Sequence, residues 1–218
     1  MKKGFLITLE GIEGSGKTYH ARLLWKFLIR KGFSVILTHE PGATLIGKRL
    51  RRLLLGEDLF QDPFTELCLF LADRREHFLR TIKGALEEGK IVVCDRFVDS
   101  TLAYQGYGRG IDMELIINLN EMILEGTWPD LTILLDCPVE EGLKRTKKRD
   151  RISKGSLEFH ERVRYGYLEL SKKYPERIKV VNSFDRPKSE VQGEIREIVF
   201  GFLGLFNNNN KNIKGGRK

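Results

Sequence analysis

Short apolar, β-branched runs alternate along this chain with longer stretches whose apolar residues recur at helical spacing. The runs fall at 4–9, 34–38 (SVILT), 91–95 (IVVCD), 131–136 (LTILLD) and 178–182 (IKVVN). Each is nearly unbroken in apolarity, the mark of a strand covered on both faces. Between and after them the spacing predicts helices over 17–31, 44–55, 64–88, 113–125, 139–149, 156–173 and 188–205. Strands alternating with helices predict an α/β fold, a five-stranded parallel sheet with helices on both faces. No linker or repeat interrupts 1–205, which reads as a single domain, and 206–218 reads as a disordered basic tail. The stretch 149–157, RDRISKGSL, mixes charge, Gly and Ser between two helices and suits a mobile flap, placed at about 144–157.

Several strands close on a polar residue: Glu10, His39, Asp95 and Asp136. Ligands of parallel sheets bind beyond the carboxyl ends of the strands, so these positions are candidates for chemistry. The first strand runs straight into GIEGSGKT, Gly11 to Thr18, and then into a helix. This satisfies the phosphate-loop pattern in its required strand–loop–helix setting and predicts the three-layer P-loop NTPase fold. The main chain of Gly11, Ile12, Glu13, Gly14, Ser15 and Gly16 can wrap an anion with its N–H groups, aided by the helix dipole. Lys17 reaches the outer phosphates and the Thr18 hydroxyl can ligate Mg²⁺. The competing reading is a glycine-rich turn with no ligand. The loop points to a nucleoside triphosphate and is silent about the reaction.

Charge narrows the partners. The 218 residues carry a net +8, half of it in the last eight residues through Lys211, Lys214, Arg217 and Lys218. Two basic clusters remain, KRLRR at 48–52 and KRTKKRDR at 144–151. They suit nucleic acid, anionic lipid or a polyphosphate pocket. Lys144, Lys147 and Lys148 read as a solvated helix face. No aromatic–basic interleaving on a sheet suggests a single-strand platform, and no apolar run is long enough for a bilayer, so neither nucleic acid nor membrane is expected. The N-terminal apolar run is too short for a signal peptide, which makes the cytoplasm the expected location. Cys68, Cys94 and Cys137 sit in apolar segments and are expected as buried free thiols. His20, His77 and His160 read as structural, with no metal role.

The acceptor side is less explicit. In ELCLFLADRREHF, Phe70 and Arg74 are one helical turn apart, offering a stacking face and a guanidinium for a base edge. Taken alone, Phe70 reads as core and Arg74 as a solvated charge. Asp95 and Arg96 follow a strand, where the carboxylate can hold hydrated Mg²⁺ and the guanidinium can clamp a phosphate. A structural ion pair is the competing reading. Asp136 is a second magnesium candidate, ranked lower because no cation immediately follows it.

Together EGIEGSGKT, HEPG, LFLADRREH, CDRFVDSTLAYQGYGRG, PDLTILLD, GLKR and DRI resemble the thymidylate kinase family in its bacterial form, from about Phe5 to about Phe202. The resemblance implies ATP-dependent conversion of dTMP to dTDP, with Mg²⁺, by a homodimer. It implies that Phe70 stacks on thymine, that Arg74 bonds its edge, and that Thr101 and Gln105 contact the base. Tyr104 would lie under the sugar and Glu13 would meet the 3′-hydroxyl. Arg51 and Arg96 would bind the acceptor phosphate. Because Gly14 follows Glu13, the catalytic arginine would come from the flap, as Arg149 or its neighbour Arg151, joining Lys17, Asp95 and Arg96. Two positions depart from the pattern: His39 stands where the family usually has Arg, and Tyr19 where it has a second Thr. Other readings kept open are a monophosphate kinase with another or broader acceptor, a P-loop ATPase stimulated by nucleic acid, and a member that binds without transferring.

Overall fold

The computed structural model describes residues 4–56, 62–146 and 150–204. Its centre is a parallel sheet of β1 (Phe5–Glu10), β2 (Val35–His39), β3 (Ile91–Asp95), β4 (Leu131–Asp136) and β5 (Ile178–Asn182), in the order β2-β3-β1-β4-β5. The period-2 geometry of a strand explains the unbroken apolar runs. Ile7, Leu9, Val93 and Ile133 face α1 (Lys17–Arg30) and α9 (Lys188–Phe202), packing on Leu24, Leu28, Ile195 and Val199. Leu6, Val92 and Cys94 face the opposite layer and meet Phe78, Ile82 and Phe97. Both faces are covered, as predicted.

Register places the strand ends in one row. Leu9 and His39 both pair with Asp95, and Asp136 pairs with Asn182. The chain moves from β1 to β2 on one side, then from β3 to β4 on the other. The topological switch therefore lies beside β1, whose carboxyl end carries the glycine loop.

The remaining helices are α2 (Leu45–Leu55), α3 (Pro63–His77), α4 (Lys83–Glu87), α5 (Val98–Thr101), α6 (Met113–Ile123), α7 (Val139–Arg145) and α8 (Leu157–Lys173). The helix expected over 64–88 is α3 and α4 joined by π-helical turns at Phe78–Ile82. Asp62 caps α3 by accepting from the N–H groups of Phe64 and Thr65, and Pro63 opens its first turn. One element was not expected. Residues 98–108 are helical, with α5 running into π-helical turns at Leu102–Gly108. Gly106 and Gly108 resemble breakers in the sequence but are packing positions here. A Cβ on Gly108 would come within 2.8 Å of Phe159 and Val163, so the glycine lets α8 lie directly against this helix. Cys94 and Cys137 are buried free thiols, whereas Cys68, on the outer side of α3, is exposed. Among the described residues no helix is long and apolar enough to cross a membrane.

Candidate active site

The donor loop leaves β1 with Gly11, Gly14 and Gly16 all at positive φ. At Gly14 the requirement is steric as well: a Cβ there would lie 1.9 Å from the carbonyl oxygen of Gly142 on α7. The Lys17 ammonium folds back under the loop, donating to Ile12 O at 2.6 Å and lying 3.4 Å from Ser15 Oγ. Burial, and then the neighbouring Arg96 charge, lower its pKa to about 8. Thr18 donates its hydroxyl proton to the Asp95 carboxylate across the sheet edge. The other magnesium candidate, Asp136, is held by Arg164 in a bidentate pair of 2.8 and 2.9 Å.

Arg96 is the organising residue. It sits at φ 68, a left-handed conformation rare for a side-chain-bearing residue. Its own N–H bonds Leu9 O, and the next N–H, of Phe97, bonds Glu10 Oε1 at 2.6 Å. The guanidinium stacks on the Tyr104 ring and donates to Gly11 O, Ser100 Oγ, Tyr104 Oη and Glu13 Oε1. Tyr104 also donates to Glu13 Oε1 at 2.7 Å. Burial alone would raise the Glu13 pKa, but the Arg96 charge and these bonds hold it well below the usual carboxylate range.

Beneath Arg96, Glu10 is fully buried and also accepts from Ser100 Oγ at 2.6 Å and Tyr167 Oη at 3.0 Å. Burial, reinforced by the Asp99 charge, pushes its carboxyl up from 4.5 to about 7. A raised carboxyl pKa means the fold favours the protonated form. The stability this confers is present below about pH 4.5 and is lost as pH rises through about 7. Glu10→Gln carries no such proton. Its stability relative to wild type is expected to improve by roughly 3 kcal/mol between about pH 4.5 and pH 8. Urea unfolding of both proteins at the two pH values measures the change; a constant difference would show the Glu10 carboxyl unshifted by folding.

A cavity of about 610 Å³ opens beside the loop, between the carboxyl ends of β2 and β3 and the helices α2, α3 and α5. Glu13, Gly14, Lys17, Thr18, Asp95 and Arg96 line its donor side. Arg51, Phe70, Arg74, Thr101, Tyr104 and Gln105 line the rest. Gly11, Ile12, Ser15 and Gly16 form the loop behind this surface, with Ile12 buried in the core. Arg51 donates to Pro41 O at 2.8 Å. His39 is at the cavity wall, and burial, then the Arg51 charge, lower its pKa.

Arg74 is not the solvated charge its position alone suggested. It is 1 % exposed and donates to Glu40, Thr101, Asn120 and Phe97 O at 2.7–3.0 Å. Those bonds use four of its five N–H groups and leave one on Nη2. His77 is structural, bridging Thr38 and Glu40, and His20 bonds Gln192. His160, also buried, lies 3.4 Å from Glu13 Oε2 and so touches the loop itself. Arg149, Lys147 and Lys148 lie outside the described residues, while Lys144 pairs with Glu141. Arg151 is turned away from the cavity, donating to Leu54 O and to Glu66. Glu66, Ser100 and Tyr167 carry no site reading in the sequence, and Glu10 carries one only as a strand end. Glu66 had a signal in its helical spacing with Phe70 and Arg74.

A phosphate-binding loop at the switch point of a parallel sheet, opening onto a nucleotide-sized cavity, makes this a P-loop NTPase. Comparison with known proteins narrows the class: the thymidylate kinase family model matches residues 9–195. The thymidylate kinase of Halothermothrix orenii is 45 % identical over 207 residues, covering 92 % of this chain and 99 % of that protein. The thymidylate kinase of a Synechococcus species is 49 % identical over 193 residues, covering 88 % and 93 %. The crystal structure of thymidylate kinase from Ehrlichia chaffeensis superposes with a TM-score of 0.76 at 38 % identity, over 90 % of this chain and 98 % of that one. The chain belongs to the thymidylate kinase family.

Proposed function

We propose that this enzyme transfers the γ-phosphoryl group of ATP to dTMP, giving dTDP and ADP. The observation that carries the reading is a single cavity where Lys17 and Thr18 of the donor loop meet Arg96, Arg74 and Phe70. Family membership favours it over a broader monophosphate kinase and over a nucleic-acid-stimulated ATPase.

Phosphoryl transfer asks the protein for alignment and charge stabilisation more than for covalent chemistry. The loop amides and Lys17 hold the donor phosphates. Phe70 stacks on the thymine, and Arg74, Thr101 and Gln105 read its edge. Tyr104 and Glu13 face the sugar, and Arg51 and Arg96 hold the acceptor phosphate in line. The Thr18 hydroxyl and the Asp95 carboxylate form a hard-oxygen pair suited to Mg²⁺, which supplies charge neutralisation at the phosphates when bound. The flap, about 144–157, closes to exclude water and brings in Arg149, leaving Arg151 on Glu66. Leu115 and Met122 on α6 and Leu157 and Tyr165 on α8 are exposed apolar residues that a second copy would cover in a homodimer. The cytoplasm is the proposed location.

A coupled ADP-release assay with dTMP, dUMP, dGMP and dCMP tests the reaction. dTMP is expected to give the highest kcat/KM. Equal turnover of all four would replace this reading with a broad-acceptor kinase, and ADP release that needs DNA or RNA instead would replace it with an ATPase.

A further inference from the structure

Glu66 lies in the first turn of α3, one helical turn before Phe70 and two before Arg74, on the same face. Its carboxylate is 3 % exposed and bonded on both oxygens. Oε1 accepts from Gln105 Nε2 at 2.8 Å and lies 3.4 Å from Arg109 Nε. Oε2 accepts from Arg109 Nη2 at 3.2 Å and from Arg151 Nη2. Burial opposes the charge, but the bonds from Gln105 and Arg151 and the two arginine charges keep the pKa below its ordinary value.

An ionised carboxylate only accepts hydrogen bonds, so it dictates which end of a neighbouring amide faces it. Gln105 must turn its NH₂ to Glu66, and the opposite corner of the amide is then the carbonyl oxygen. Gln105 is itself 2 % exposed and lines the same cavity as Phe70 and Thr101. A carbonyl presented there matches a ring N3 that carries hydrogen, as in thymine and uracil. Against cytosine, whose N3 is an acceptor, it sets lone pair against lone pair. A buried site built for a donor rejects a ligand that lacks it.

We infer that Glu66 is a specificity-determining positioning residue: it locks the Gln105 amide with its carbonyl toward the cavity and so selects N3–H pyrimidines over N3-acceptor pyrimidines. The inference rests on the reading that Gln105 meets the base edge.

Glu66→Gln tests it with an unusual expected sign. Arg109 and Arg151 both donate to the Oε2 position, so the amide oxygen of the variant settles there and its NH₂ faces Gln105. Two NH₂ groups cannot pair. The Gln105 amide therefore turns over and offers its own NH₂ to the cavity, where a cytosine N3 can accept it.

The experiment measures kcat/KM for dTMP, dUMP and dCMP with ATP in wild type, Glu66→Gln and Gln105→Met. Ratios between acceptors do not depend on how much of a variant is folded. In Glu66→Gln the dCMP-to-dTMP ratio is expected to rise about tenfold or more, the worth of one hydrogen bond gained or lost. The dUMP-to-dTMP ratio stays within about twofold, because uracil and thymine share the N3–H that the lock reads. Gln105→Met also raises the dCMP-to-dTMP ratio, by removing the reader. If Gln105→Met moves that ratio and Glu66→Gln does not, the lock is refuted while Gln105 stays at the base. If neither moves it, Gln105 is not at the base and the reading beneath the inference fails. An equal loss on all three acceptors in Glu66→Gln assigns Glu66 a structural role and overturns the proposal.

Discussion

Replacing Arg96 by lysine is expected to lower kcat/KM for dTMP about a thousandfold while leaving the KM for ATP within a few-fold of wild type. Two features make this the residue to test. The guanidinium donates through both Nη atoms to Gly11 O, Ser100, Glu13 and Tyr104 at 3.0–3.2 Å, and its plane lies over the Tyr104 ring. A lysine ammonium is a point charge that can neither fork between these acceptors nor stack in the same way. Losing two charge-assisted contacts at about 2 kcal/mol each amounts to about 4 kcal/mol, close to three decades in rate. Steady-state kinetics with dTMP varied at saturating ATP provide the measurement, with thermal unfolding of the variant alongside. A kcat/KM within about tenfold of wild type would remove Arg96 from the acceptor phosphate and leave it as an anchor for Glu13.

Arg149→Ala is expected to lower kcat by about a thousandfold, with each KM changed less than about threefold, because a flap arginine acts on charge that develops only in the transition state. Arg151→Ala is expected to behave differently. Its guanidinium ties the carbonyl of Leu54 to Glu66, joining the C-terminal part of α2 to the start of α3. Removing it costs about 1–3 kcal/mol of stability and less than about tenfold in kcat. The pair of variants separates the roles: a large kcat defect in Arg151→Ala with little in Arg149→Ala would exchange them.

The architecture was largely legible because both faces of the sheet are covered, which writes the strands as solid apolar runs ending within about a residue of where they do. The donor loop was legible because its pattern is local. Residues 98–108 were not, since VDSTLAYQGYG combines β-branched residues with two glycines that serve packing, Gly106 against Met113 of α6 and Gly108 against Phe159 and Val163 of α8, far along the chain. Arg74 and Glu66 mark the same limit in polar form. A charged residue reads as solvated until its partners are known, and theirs include Asn120 and Arg151, each tens of residues away. Cys68, expected inside an apolar segment, falls on the outer side of α3 because that helix buries only one face.

The contact between Gly14 and Gly142 has a consequence for how this active site can vary. Main chain meets main chain there with no room for even a methyl group. No side chain of any length can be grown from position 14 unless α7 withdraws, so this corner of the donor loop cannot add a second cation to Lys17. Any further positive charge at that point has to come from another element, the place that the proposed mechanism gives to Arg149.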